Sequence, residues 1–88
     1  MVMYTVYGGE NCTYCKQAVA LLEKNGLAYE YFDIYTDVDG TLVYRDKLFG
    51  VMDSKGLPRP RSIPQCFIQG DDCLEYIGGF AELKAHLS

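Results

Sequence analysis

Apolar residues along this chain recur at two spacings, every second position in some segments and every third or fourth in others. "VMYTVY" (Val2–Tyr7) concentrates β-branched and aromatic residues and reads as a strand. Gly8-Gly9 ends it. Beyond it, Cys15, Ala18, Val19 and Leu22 fall at i, i+3, i+4 and i+7, one apolar face of a helix. Gly26 stands just past that face, where a left-handed C-terminal cap favours a residue without Cβ, and Asn25 sits beside it. "AYEYFDIY" (Ala28–Tyr35) reads as a second strand. Strand, helix and strand with tight links make a βαβ unit, whose strands are parallel and whose crossover is right-handed.

"TDVDG" follows as a polar turn. A second helix is expected from about Leu42 to Lys55, with Tyr44, Leu48, Phe49 and Met52 facing inward and Gly50 weakening it. "GLPRPRSIPQ" is excluded from helix, because its three prolines remove N–H donors and extend the residues before them. "PQCFIQ" reads as a strand, "GDD" as a turn and "CLEYI" as the hairpin partner. Gly78-Gly79 breaks the chain, and "FAELKAHL" closes it as a helix with Phe80, Leu83 and Leu87 on one side. The order β-α-β-α-β-β-α predicts an α/β fold, a four-stranded mixed sheet with helices on both faces.

The 88 residues suit a single domain, residues 1–88, and with 49% of them apolar a core can form without disulfide staples. The net charge of −4 argues against non-specific nucleic-acid binding, which needs a basic surface. No apolar run approaches the roughly 20 residues of a membrane helix, so no membrane association is expected. "MVMYTVYGG" lacks the basic start and long apolar centre of a signal peptide, so a cytoplasmic location is expected. In a reducing compartment, cysteines are more often catalytic or metal-binding than structural disulfides.

That moves attention to "CTYC". Cys12 and Cys15 are open to three readings: a redox couple, half of a zinc site, or two small buried side chains. Cys12 falls at the junction of the first strand and helix, where free N–H groups and the positive end of the helix dipole gather. A thiolate is favoured there, and its pKa is expected below the free value of about 8.5. Cys15, one turn on, belongs to the apolar face and is expected to be the more buried. An exposed attacking thiolate beside a shielded resolving thiol is what a dithiol couple needs. A structural zinc site wants a second close pair, and Cys66 and Cys73 are too far apart in sequence to be one. These two read as small core residues of a hairpin. Lys16 and His86 read as surface residues. In "RSIPQCF", Pro64 stands where a strand begins; simple trans initiation and a functional cis turn are both compatible with it.

Taken together, "CTYC" after the first strand, "SIPQCFI" opening the third and "IGGF" before the last helix resemble the glutaredoxins, within the thioredoxin-like fold. The resemblance spans essentially the whole chain and is nearest to small bacterial and phage-encoded members. It implies a glutathione-dependent thiol–disulfide oxidoreductase that reduces protein disulfides and glutathione mixed disulfides. It further implies a monomer with no tightly bound cofactor, glutathione as co-substrate, and ribonucleotide reductase as a recipient of electrons. By the same resemblance Cys12 is the nucleophile and Cys15 resolves. Tyr14 walls the glutathione groove, Ser62 keeps a hydroxyl, and Ile63 offers its backbone ahead of a cis-Pro64. Gly79 admits the ligand backbone, and Ala81 and Glu82 hold the γ-glutamyl end. An iron–sulfur carrier is the alternative that the family also contains. Two positions depart from the pattern. Thr13 stands where the family usually has proline. "GGEN" brings Glu10 where many members carry a lysine, so Arg59 or Arg61 would have to meet a glutathione carboxylate.

Overall fold

A computed structural model describes residues 3–70 and 74–88. The first strand, β1 (Met3–Gly8), leads into helix α1 (Thr13–Lys24) and strand β2 (Ala28–Asp33). A short hairpin, β3 (Asp37–Val38) and β4 (Thr41–Leu42), runs straight into helix α2 (Val43–Ser54). Strands β5 (Gln65–Gln69) and β6 (Leu74–Gly78) and helix α3 (Phe80–His86) complete the chain. The main sheet has the order β2-β1-β5-β6. β1 pairs with β2 in parallel, and β1 with β5 and β5 with β6 antiparallel. This is the four-stranded mixed sheet that the pattern predicts.

Side chains alternate across a strand, so each central strand feeds both faces. Tyr4 and Val6 of β1 and Cys66 of β5 pack with Ala18 and Leu22 of α1 and Leu83 of α3. On the other face Tyr7 and Phe67 meet Leu48 and Met52 of α2, together with Ile34. Two helices therefore cover one face and α2 the other. β1, covered on both, is almost continuously apolar, as a central strand must be. Of the inner residues expected on α2 and α3, Leu48, Met52 and Leu83 are buried, while Tyr44, Phe49, Phe80 and Leu87 are half-buried.

Helix α1 ends as its residues dictate. Gly26 takes φ +67°, the Leu27 N–H returns to the Leu22 carbonyl (3.0 Å), and the Asn25 amide donates to the Leu21 carbonyl (2.8 Å). Two segments differ from the pattern reading. β2 stops at Asp33, because its carboxylate accepts the Tyr35 N–H at 2.8 Å and turns the chain away. "TDVDG" is a hairpin rather than a plain turn. Asp39 and Gly40 both have positive φ (53° and 83°), and the Asp37 carboxylate accepts the Gly40 N–H at 2.7 Å. Val2, Asp71, Asp72 and Cys73, parts of three expected elements, lie outside the described residues. Among those described, no helix is long and apolar enough to cross a membrane.

Candidate active site

Cys12 is the N-cap of α1, with φ −110° and ψ 108°, and its Sγ lies 3.2 Å from the Cys15 N–H as the acceptor. That N–H belongs to the third residue of the helix, one of the donors with no partner inside the helix. No acidic side chain occupies the first turn of α1 to offset the positive end of the dipole. Negative charge on Cys12 is stabilised at this position. Cys12 and Cys15 are joined in a disulfide, with Cα atoms 5.2 Å apart. Cys15 is fully buried and Cys12 partly exposed, the asymmetry expected from the helix face.

Gly8 makes room for this pair. A Cβ there would collide with the Tyr31 hydroxyl and come within 2.8 Å of Cys15 Sγ. The Tyr31 hydroxyl donates to the Gly9 carbonyl at 2.7 Å and ties the loop before Cys12 to β2. Its pKa is raised, chiefly by burial and then by the Asp33 charge. Neither residue stood out in the sequence.

Across from Cys12 lies the turn before β5. The Ile63–Pro64 bond is cis, and the Ile63 carbonyl oxygen is 3.7 Å from Cys12 Sγ. Gln65, buried although polar, holds this turn. Its amide donates to the Ser62 carbonyl at 2.8 Å and its carbonyl accepts the Tyr76 hydroxyl at 2.6 Å. Sequence inspection missed both members, since a glutamine opening a strand carries no signal of its own.

A groove of about 340 Å³ runs beside Ile63, lined by Tyr14, Ser62, Ile63, Pro64, Gly79, Phe80, Ala81 and Glu82. All seven residues singled out from three separate motifs meet here, and Phe80 is the addition. The exposed Tyr14 ring packs against Phe80 with centroids 6.0 Å apart and forms one wall. One oxygen of the Glu82 carboxylate accepts the Gly79 N–H at 2.8 Å. The tight position is Gly78 rather than Gly79: its φ is +133°, and a Cβ there would lie 2.7 Å from the Glu82 side chain. At Gly79 a Cβ would meet ordinary contacts of 3.4 Å and beyond.

Charge around the site is sorted. Arg59 is committed to a two-pronged pair with Asp53 (2.8 and 3.2 Å), which lowers the Asp53 carboxyl and raises the guanidinium through their hydrogen bonds. Arg61 lines a smaller cavity of about 190 Å³ with Arg45, Tyr35 and Ile63. On the near side of Tyr35 a larger cavity, about 530 Å³, opens on Cys12 itself and contains Glu10 and Asp33. Cys66 is fully buried in the sheet, and burial followed by the Glu82 charge pushes its thiol up to about 12. Its sheet partner is Gly78, and Cys73 lies outside the described residues. Among the described residues no three His, Cys, Asp or Glu side chains group as a metal-ligand set.

A family model described as Glutaredoxin matches residues 1–73. A comparison with curated protein sequences returns no match. Among solved structures, glutaredoxin 1 from Francisella tularensis, determined with cacodylate, is 32% identical over 99% of this chain and 93% of its own, with a TM-score of 0.67. Reduced glutaredoxin from Escherichia coli is 26% identical over 97% and 92%, with a TM-score of 0.65. A buckwheat glutaredoxin, solved as a glutathione complex, shares the fold at 22% identity over 96% and 67%, with a TM-score of 0.66.

Proposed function

Because this chain belongs to the glutaredoxin family and carries the cysteine pair of a thiol–disulfide oxidoreductase, we propose that its chemistry is linked to glutathione. The observation that carries this is the convergence of Tyr14, Ser62, Ile63, Pro64, Gly79, Ala81 and Glu82 on one groove beside Cys12. The buckwheat protein of the same fold holds glutathione, which supports the reading.

In the reduced protein the Cys12 thiolate, favoured by the helix N-terminus, attacks one sulfur of a substrate disulfide. The substrate S–S bond breaks, a Cys12 mixed disulfide forms, and the other sulfur leaves as a thiolate that takes a proton from solvent. For a protein disulfide, Cys15 displaces the remaining substrate thiol and closes the Cys12–Cys15 bond. Two glutathione thiols then supply the electrons, leaving as oxidised glutathione. For a glutathione mixed disulfide, Cys12 takes the glutathionyl sulfur, and a second glutathione releases it without Cys15. No tightly bound cofactor is required.

Glutathione's cysteinyl unit lies along the Ile63 backbone, as a peptide adds to an open edge. Its γ-glutamyl end reaches Ala81 and Glu82, with Gly79 beneath and Tyr14 as a wall. Arg61, next to Ile63 on the same turn, meets the glycine carboxylate; Arg59 is already held by Asp53. Cys15, within bonding reach of Cys12, supports dithiol chemistry over iron–sulfur carriage, which has no use for a resolving thiol. The protein works as a cytoplasmic monomer on disulfide-containing proteins, ribonucleotide reductase among them. Glutathione-dependent reduction of a mixed disulfide by Cys12→Ser tests the assignment. Loss to background is expected, and retained activity would remove it.

A further inference from the structure

Cys15 and Cys66 are both fully buried, yet only Cys15 has to react. Burial, followed by the Glu82 charge, holds the Cys66 thiol at about 12, out of range for exchange chemistry. A resolving Cys15 buried to the same degree needs something that Cys66 lacks. The thiolate is the attacking form, and a thiolate shielded from water is costly unless a donor meets it.

Two features set Cys15 apart. A cavity of about 370 Å³ between α1 and β2 has Cys15 in its wall, together with Gly9, Tyr29 and Tyr31. Gly8 also has no side chain to separate Cys15 from Tyr31: the place its Cβ would take lies within 2.8 Å of both Cys15 Sγ and the Tyr31 hydroxyl. The two groups are therefore neighbours across Gly8. In the disulfide form the hydroxyl donates to the Gly9 carbonyl at 2.7 Å. Gly9 lines the same cavity, so solvent can take that carbonyl when the hydroxyl turns. The other titratable groups nearby are placed for different work. The Tyr29 hydroxyl donates to the Glu23 carboxylate at 3.2 Å. Glu10, Lys16 and Glu23 also line the cavity but are exposed, where water and salt screen them. Asp33, further along β2, adds to burial in keeping the Tyr31 hydroxyl protonated. On the elements packed behind α1, Cys66 of β5 is a neutral thiol below about 12, and Glu82 of α3 accepts the Gly79 N–H.

Resting on Cys15 as the resolving thiol of the reaction above, we propose that Tyr31 is the hydrogen-bond donor that allows buried Cys15 to ionise. With a substrate protein held on Cys12, the Cys15 thiol gives its proton to solvent through the cavity, and the Tyr31 O–H turns from the Gly9 carbonyl to the thiolate. The thiolate attacks Cys12 Sγ, the Cys12–substrate S–S bond breaks and the Cys12–Cys15 bond forms. The substrate sulfur leaves as a thiolate and is protonated by solvent.

Tyr31→Phe keeps the ring and removes the donor. One hydrogen bond to a charged group changes an ionisation equilibrium on the order of tenfold. The ratio of kcat/KM on a protein disulfide to kcat/KM on a glutathionylated peptide is therefore expected to fall about tenfold at neutral pH and to recover as pH rises. The peptide reaction bypasses Cys15, so the ratio cancels any loosening of the Gly9 loop. A second readout is the ultraviolet absorbance of the Cys15 thiolate in Cys12→Ser, after subtraction of the protein that also carries Cys15→Ser. Adding Tyr31→Phe should raise that midpoint by about one pH unit. An unchanged ratio, an equal fall in both activities or an unmoved midpoint overturns the role of Tyr31 and leaves the glutathione-linked reaction standing. Full protein-disulfide reduction by Cys15→Ser alone would overturn the resolving role of Cys15, and this inference with it.

Discussion

Replacing Gln65 by leucine isolates the polar chain that holds the Ile63 turn. Leucine fills a similar volume, so no large cavity term enters. Two hydrogen bonds are lost, one to the Ser62 carbonyl (2.8 Å) and one from the Tyr76 hydroxyl (2.6 Å). The 3.5 Å approach to the Ser62 hydroxyl is too long to count. Each bond contributes about 0.5–1.5 kcal/mol net. Ser62 is exposed and Tyr76 is 38% exposed, so both freed partners regain water and the heavier penalty for buried unpaired groups is avoided. The expected loss is about 1–3 kcal/mol, which for a domain of this size lowers Tm by on the order of 5–20 °C. Thermal unfolding followed by far-ultraviolet circular dichroism measures it. Tyr76→Phe, which removes one bond, should fall between the two proteins. Because Ile63 sits beside the loosened residue, KM for a glutathione mixed disulfide should rise with kcat less affected. A Tm within about 2 °C of wild type and an unchanged KM would refute the idea that this chain of hydrogen bonds positions the turn.

Cys15→Ser should lose reduction of protein disulfides yet keep reduction of glutathione mixed disulfides, compared in parallel assays on the two substrate types. Gly78→Ala puts a Cβ at φ +133° and 2.7 Å from the Glu82 side chain. It should cost roughly 2 kcal/mol or more in chemical denaturation. The buried Cys66 thiol should resist iodoacetamide in the folded protein at pH 8 and react on unfolding, as read by mass spectrometry; labelling of the native state would contradict its burial. Its folded pKa of about 12 lies above the ordinary value of 9.0, so the folded state keeps the proton longer. That contribution to stability is full below about pH 9 and is lost as pH rises through 12, at up to about 1.4 kcal/mol per pH unit. Urea unfolding at pH 8 and 10 should show a steeper decline for wild type than for Cys66→Ala.

Spacing along the chain was enough to place every element of the main sheet and all three helices. A period of two or of three to four residues is a local property, written in neighbours that lie on one face. The same logic put Cys12 at a helix N-terminus and turned Cys15 inward, because i and i+3 relations need no knowledge of the rest of the molecule. The hairpin at residues 37–42 was harder, since two-residue strands are too short to show a period, and only Asp39-Gly40 marks the turn. Contacts between distant segments required the tertiary structure. Cys12 and Ile63 are 51 residues apart in sequence and meet because β1 and β5 are sheet neighbours. Tyr14 and Phe80 meet because α1 and α3 share one face of the sheet. Sheet order also decided that Gln65 finds Tyr76 across the strand pair and that Glu10 and Asp33 line one cavity with Cys12. The sequence determines which side chains can do chemistry and on which local face they stand. Their partners depend on the register and packing of strands far apart in the chain, which local periodicity does not encode.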